Sequence, residues 1–203
     1  MASQDDEREN AQKELFGISD YSETGRSDVY TPDGIKEVGS KKFTIELKTK
    51  PEYNASGKKK YGFSTARKFG SKKVEDWRQV STFIFSEYKG PDFDGTFTRH
   101  IAISYDDLFP ILEKQVLNPY NNGREPSKRS AGYYGAREFE TNVLPLLEGH
   151  LSPEDVKRIT HTVEVGTSLN DPQFSIKDLL AHGTVIESEE DLSIFCEGLL
   201  SRD

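Results

Sequence analysis

The sequence predicts an α/β domain: a mixed central sheet flanked by helices, with a helical addition at its C-terminal end. Three stretches carry that expectation. KFTIELKTK (residues 42–50) alternates, with Phe43, Ile45 and Leu47 on one face and Thr44, Glu46 and Lys48 on the other. VSTFIFSEY (residues 80–88) is apolar enough for a strand buried on both faces. Beyond residue 150 helix starts dominate: Ser152 precedes Pro153, Glu154 and Asp155, and Ser188 precedes Glu189, Glu190 and Asp191.

Taken in order, residues 1–17 read as an exposed arm running into a short helix that ends at Leu15 and Phe16. Residues 27–32 read as a strand, and Pro32-Asp33-Gly34 as a turn. A Gly- and Lys-rich loop follows the alternating strand, then a short segment around residues 62–65, and residues 97–103 suit another strand. A helix is expected from near Asp107, with Pro110 in its first turn and Leu108, Ile111, Leu112 and Val116 buried. NPYNNGREPSKRSAG (residues 118–132) is the best internal boundary. It separates a core over residues 1–117 from a helical accessory region over 118–203. The last helix has the stripe Leu192, Phe195, Cys196 and Leu199.

Composition narrows the function classes. The 203 residues include 12 Phe, 9 Tyr and one Trp, enough aromatic mass for a core. No apolar run reaches membrane-spanning length and the N-terminus is acidic rather than leader-like, so a soluble, cytoplasmic chain with no membrane partner is expected. The single Cys196 excludes an intramolecular disulfide and a cysteine-rich zinc site, and the four histidines lack HxxxH or HExxH spacing. No GxxxxGK[ST] occurs, so no nucleotide cofactor is expected. The net charge of −8 conceals an asymmetry: residues 36–78 hold 13 Lys/Arg against 5 Asp/Glu. A basic block in an acidic chain points to a localised polyanion site, although the Lys58-Lys59-Lys60 triplet alone reads better as a solvated loop.

Glu46 and Lys48, two apart on one strand, emerge on the same face. A hairpin through residues 32–42 would bring Asp28 beside Glu46. Two converging carboxylates repel unless a cation sits between them, and Mg²⁺ suits oxygen donors. Lys48 would then orient the attacking water and stabilise charge on the phosphate. Asp33 is the competing carboxylate, but its Pro-Asp-Gly setting reads as a turn residue.

This D…E-x-K pattern resembles the PD-(D/E)xK nucleases. IELKTK (45–50), GFST (62–65), WRQV (77–80) with the strand up to Tyr88-Lys89-Gly90, and the stretch from Asn170-Asp171-Pro172 to His182-Gly183-Thr184 resemble, in order, the PvuII-like type II restriction endonucleases. The resemblance implies a restriction-endonuclease-like fold and a Mg²⁺-dependent homodimer that cuts both strands of double-stranded DNA at a specific sequence. It places Asp28 and Glu46 as metal ligands, Lys48 as the catalytic lysine, and Asn170 on a DNA contact. The segment after Gly62, with Ser64 and Thr65, falls where that family reads bases. Arg67 and Lys68 stand where it carries histidines, and Asp171 where it carries an asparagine. Arg67 with Lys68 in support is therefore expected to read guanine or clamp phosphate, with Arg78 a further DNA contact. Residues 170–186 would return a recognition segment to the core. The family's N-terminal dimer helix is largely missing, which leaves residues 118–169 or the 192–199 stripe to pair the protomers. Two other readings stand beside restriction: a repair, recombination or phage nuclease on the same fold, and a catalytically silent DNA-binding protein.

Overall fold

The structure, a computed structural model, describes residues 4–21, 31–64, 76–111, 153 and 173–202. The chain divides into two compact units. The first comprises Met1–Phe63, Gln79–Leu108 and Ser175–Asp203, and the second Ser64–Arg78 and Phe109–Phe174. Residues 175–203, expected with the C-terminal accessory region, thus belong with the sheet, because two of their helices complete its core.

The first unit is a mixed α/β structure around a five-stranded mixed sheet. Its strands are β1 (Gly34–Val38), β2 (Lys41–Pro51), β4 (Thr82–Tyr88), β5 (Phe97–Ser104) and β7 (Thr184–Val185), in the order β1-β2-β4-β5-β7. Two further short strands, β3 (Gly62–Ser64) and β6 (Gln173–Ser175), lie where the chain passes from one unit to the other. β1 and β2 form an antiparallel hairpin turned at Gly39 (φ 59°), and β2 runs parallel to β4. β5 is antiparallel to both β4 and β7. The alternation of β2 is realised, with Phe43, Ile45 and Leu47 buried on one face. All seven residues of β4 are buried, as a central strand covered on both sides requires.

The face bearing Ile45 and Leu47 is covered by α1 (Gln4–Phe16) and α4 (Glu189–Leu200), whose Phe16, Leu192 and Cys196 join Ile84, Ala102 and Ile186 in one core. α1 is a 13-residue helix rather than an exposed arm. It ends in a Schellman motif: Ile18 N donates to Lys13 O (2.9 Å) and Gly17, at φ 59°, donates to Glu14 O. Lys36, only 2% exposed, secures that end by donating to Phe16 O (2.9 Å) and to Glu189 (2.5 Å). α4 begins as expected, with a capping box between Ser188 and Asp191.

The opposite face carries Phe83, Phe85, Ile101 and Ile103 beside Phe63, and α3 (Ile176–His182) adds Leu179. The helix expected from Asp107, α2, starts two residues earlier, at Tyr105, and is described to residue 111. Ser104 Oγ accepts from Asp107 N (3.1 Å), so Ser104 is the cap and Pro110 falls in the second turn. In the second unit the described residues include buried Trp77 and Phe174, whose rings lie 6.1 Å apart. Residues 118–132, Ser152 and, apart from residue 153, the dimer segment 118–169 lie outside the described residues.

Candidate active site

β2 presents Glu46, Lys48 and Lys50 in succession on the face away from α1 and α4, beside Phe83, Phe85 and Glu87 of β4. Glu46 is buried at 3% exposure, and Lys48 Nζ donates to its Oε1 (2.5 Å) and to Leu47 O (3.1 Å). The two residues therefore meet as the E-x-K spacing predicts.

Their third partner comes from the Pro-Asp-Gly stretch. Of the expected 27–32 strand, residues 27–30 lie outside the described residues and 31 and 32 have no regular structure; β1 starts at Gly34. Gly34 pairs with Ile45, so Asp33 sits one step beyond, opposite Glu46. The Asp33 carboxylate accepts from Leu47 N at 2.6 Å. Asp33 is thus bound to the E-x-K segment rather than being only a turn residue. Gly34 makes the approach possible: a Cβ there would collide with Ile18 Cγ2 and lie 2.8 Å from Ser19 O. Ser19 and Ile35 exchange backbone hydrogen bonds of 2.9 and 2.8 Å, which fixes that neighbour in place. Asp28 lies outside the described residues.

Burial pushes the Asp33 carboxyl up to about 6, and the Glu46 carboxylate adds to that rise. The Lys48 ammonium and the Leu47 amide oppose it, and Glu9 of α1 contributes a smaller upward push. Two acids thus share a partly desolvated site with one ammonium. Among the described residues no group of three His, Cys, Asp or Glu is placed to hold a metal. The donors present are the carboxylates of Asp33 and Glu46 and the Leu47 carbonyl, all oxygen. That set fits Mg²⁺, which binds through one or two carboxylates and keeps water for the rest of its shell.

Lys50 shows why neighbouring lysines of the basic block differ. It is 4% exposed and donates to Glu87 Oε1 (2.6 Å) and Lys60 O (2.9 Å), and Arg99 meets the other Glu87 oxygen at 3.3 Å. Lys36 and Lys50 are structural cations, while Lys41, Lys42 and residues 58–60 are exposed. Glu9, Lys36 and Lys50 carried no distinguishing signal in the sequence, because each acts through a partner far along the chain.

Of the expected DNA contacts, Ser64 ends β3 and Arg78 is exposed in the second unit. Thr65, Arg67, Lys68, Asn170 and Asp171 lie outside the described residues. No helix among the described residues is long and apolar enough to cross a membrane. No protein-family model and no curated protein matches the chain.

Proposed function

We propose that the chain is a Mg²⁺-dependent deoxyribonuclease of the PD-(D/E)xK type, hydrolysing phosphodiester bonds in double-stranded DNA as a type II restriction endonuclease. The observation that carries the reading is the junction of Asp33, Glu46 and Lys48, in which a Pro-Asp corner is hydrogen-bonded to the strand bearing E-x-K. Asp33 is the first carboxylate of the proposed site and Glu46 the second.

Asp33 and Glu46 would hold Mg²⁺ with the Leu47 carbonyl. When bound, the ion supplies Lewis acidity toward a phosphate oxygen and lowers the pKa of a water. The protein's own groups do the positioning. The Leu47 amide fixes Asp33, and burial together with the Lys48 hydrogen bond holds the Glu46 carboxylate. Lys48, 22% exposed at its side chain, offers its ammonium both to Glu46 and to a group arriving from solvent. On a phosphodiester that ammonium would stabilise the charge that grows on the pentavalent phosphorus and orient the attacking water. A silent binder has no use for two carboxylates where a polyanion is to approach, which favours cleavage.

Cutting both strands at matched positions calls for two sites related by the pseudo-dyad of the DNA, hence a homodimer. Incubating the purified protein with plasmid DNA in Mg²⁺ and in EDTA tests the reading. Discrete fragments in Mg²⁺ alone are expected. A smear would move the role to repair or recombination, and no cutting with any divalent ion would sink the enzyme.

A further inference from the structure

A second feature of the same sheet face lies past the end of the E-x-K segment. A concavity of about 390 Å³ is lined by Lys59, Lys60, Tyr61, Arg99, Ile176, Lys177 and Leu180, with Glu52 and Glu87. Its volume falls in the range of small-ligand sites. Both acids are engaged: Glu87 with Lys50 and Arg99, Glu52 with the Thr98 hydroxyl. Lys59, Lys60 and Lys177 are exposed, and none of them forms an ion pair among the described residues. The cavity therefore has a net positive charge.

Tyr61 stands in this setting with 72% of its surface exposed, and Lys59 Nζ is 5.9 Å from its ring centroid. Its backbone is not loose: Ile176 N donates to Tyr61 O (3.0 Å) and Lys60 N to Glu52 O (2.7 Å). A largely exposed aromatic ring on an anchored backbone, with the Lys59 ammonium over it and Lys60 and Lys177 in the same cavity lining, matches the chemistry of a nucleotide, whose base stacks and whose phosphate is neutralised. Paired bases inside a duplex already stack on their neighbours, so an aromatic platform is open only to an unpaired one.

We infer that this cavity binds an unpaired nucleotide of a DNA strand, its base on Tyr61 and its phosphate among Lys59, Lys60 and Lys177. Lys48 and Lys50 share one face of β2, about 7 Å apart, and Lys50 touches the cavity wall through Glu87 and Lys60. The nucleotide held there is thus close along the strand to a phosphate at Lys48. In binding, a duplex with a single-stranded flank is therefore preferred to a blunt one, whichever duplex site is then cut. The inference rests on the proposed nuclease reading for cleavage but not for binding.

Fluorescence anisotropy with a labelled oligothymidylate in EDTA isolates the binding. Tyr61→Ala should weaken it about tenfold while Tyr61→Phe keeps it, and Lys177→Ala should lower the salt slope of log K by about 0.7. Wild-type protein should also bind an overhang-bearing duplex more tightly than the blunt duplex. Equal affinity of Tyr61→Ala and wild type for the oligothymidylate, or no flank preference, would overturn the inference. If wild type cuts nothing in Mg²⁺ yet loses oligothymidylate binding on Tyr61→Ala, the nucleotide site stands and the nuclease reading falls.

Discussion

Asp33 and Leu47 are joined by a 2.6 Å hydrogen bond from the Leu47 backbone amide to the Asp33 carboxylate. The bond ties the residue before β1 to the middle of β2 and brings a second acid to the Glu46–Lys48 pair.

That pairing makes Asp33 indispensable to cleavage. Asp33→Asn keeps the size of the side chain and can still accept from Leu47 N, but it removes the charge a divalent ion needs. Mg²⁺-dependent cleavage should fall at least about 10²-fold, while DNA affinity measured in EDTA stays within a few-fold of wild type. Cleavage at near wild-type rate would remove Asp33 from the site.

Lys48 and Lys50 should separate under mutation although only Thr49 lies between them. Lys48 is partly exposed and faces the site, so Lys48→Ala should reduce cleavage about 10²- to 10³-fold; it also strips the ammonium from the buried Glu46 carboxylate, so the rates are compared at a temperature where both proteins are fully folded. Lys50 is buried against Glu87. Lys50→Ala leaves that carboxylate with Arg99 as its one cationic partner among the described residues and should cost about 3–5 kcal/mol of stability, read by urea denaturation. A Lys50→Ala protein as stable as wild type would contradict the structural role given to the pair.

The contrast between these lysines shows what the sequence could reveal. β2, β4 and β5 were legible because alternation and apolar runs are local, and so was the Ser188 cap, which acts within four residues. The meeting of Glu46 and Lys48 followed from strand periodicity alone. Asp33 was legible only as a Pro-Asp-Gly turn, since its role depends on the Gly34–Ile45 register, which no local pattern encodes. The helical part of residues 4–16 was similarly underestimated: with few apolar residues, its burial rests on Phe16 and on polar Gln12, which donates to Ser86 in β4.

Gly34 should be intolerant of any side chain. Its φ is ordinary, so the restriction is space: the Cβ of Gly34→Ala would strike Ile18 and the fixed carbonyl of Ser19. Relieving the clash moves β1 and, with it, Asp33. A loss of about 1–3 kcal/mol in stability is expected, together with a fall in cleavage larger than that of an equally destabilised variant in the α4 stripe, such as Leu199→Ala. Equal activity in those two variants would separate Gly34 from the site.

The last prediction concerns pH, where two buried groups oppose each other. Burial pushes Asp33 up to about 6 from an ordinary 3.8, so the folded protein holds a proton there that the unfolded chain has released. Its stabilising contribution is complete below pH 4 and is lost as pH rises through 6. Burial pushes His100, 7% exposed, down to about 4 from 6.5. Gln12 Nε2 donates to Ser86 Oγ (2.6 Å), and the Ser86 hydroxyl lies 2.7 Å from His100 Nδ1, to which it can donate when the ring is neutral. The contribution of His100 is complete above pH 6.5 and is lost as pH falls toward 4. Over pH 4–6.5 the two nearly cancel. Denaturation in EDTA at several pH values should therefore show that Asp33→Asn gains stability relative to wild type as pH rises, with a slope of up to about 1.4 kcal/mol per pH unit. His100→Asn should show the opposite relative slope, whatever its absolute stability. Parallel pH profiles for all three proteins would mean that neither group is perturbed by burial in this fold.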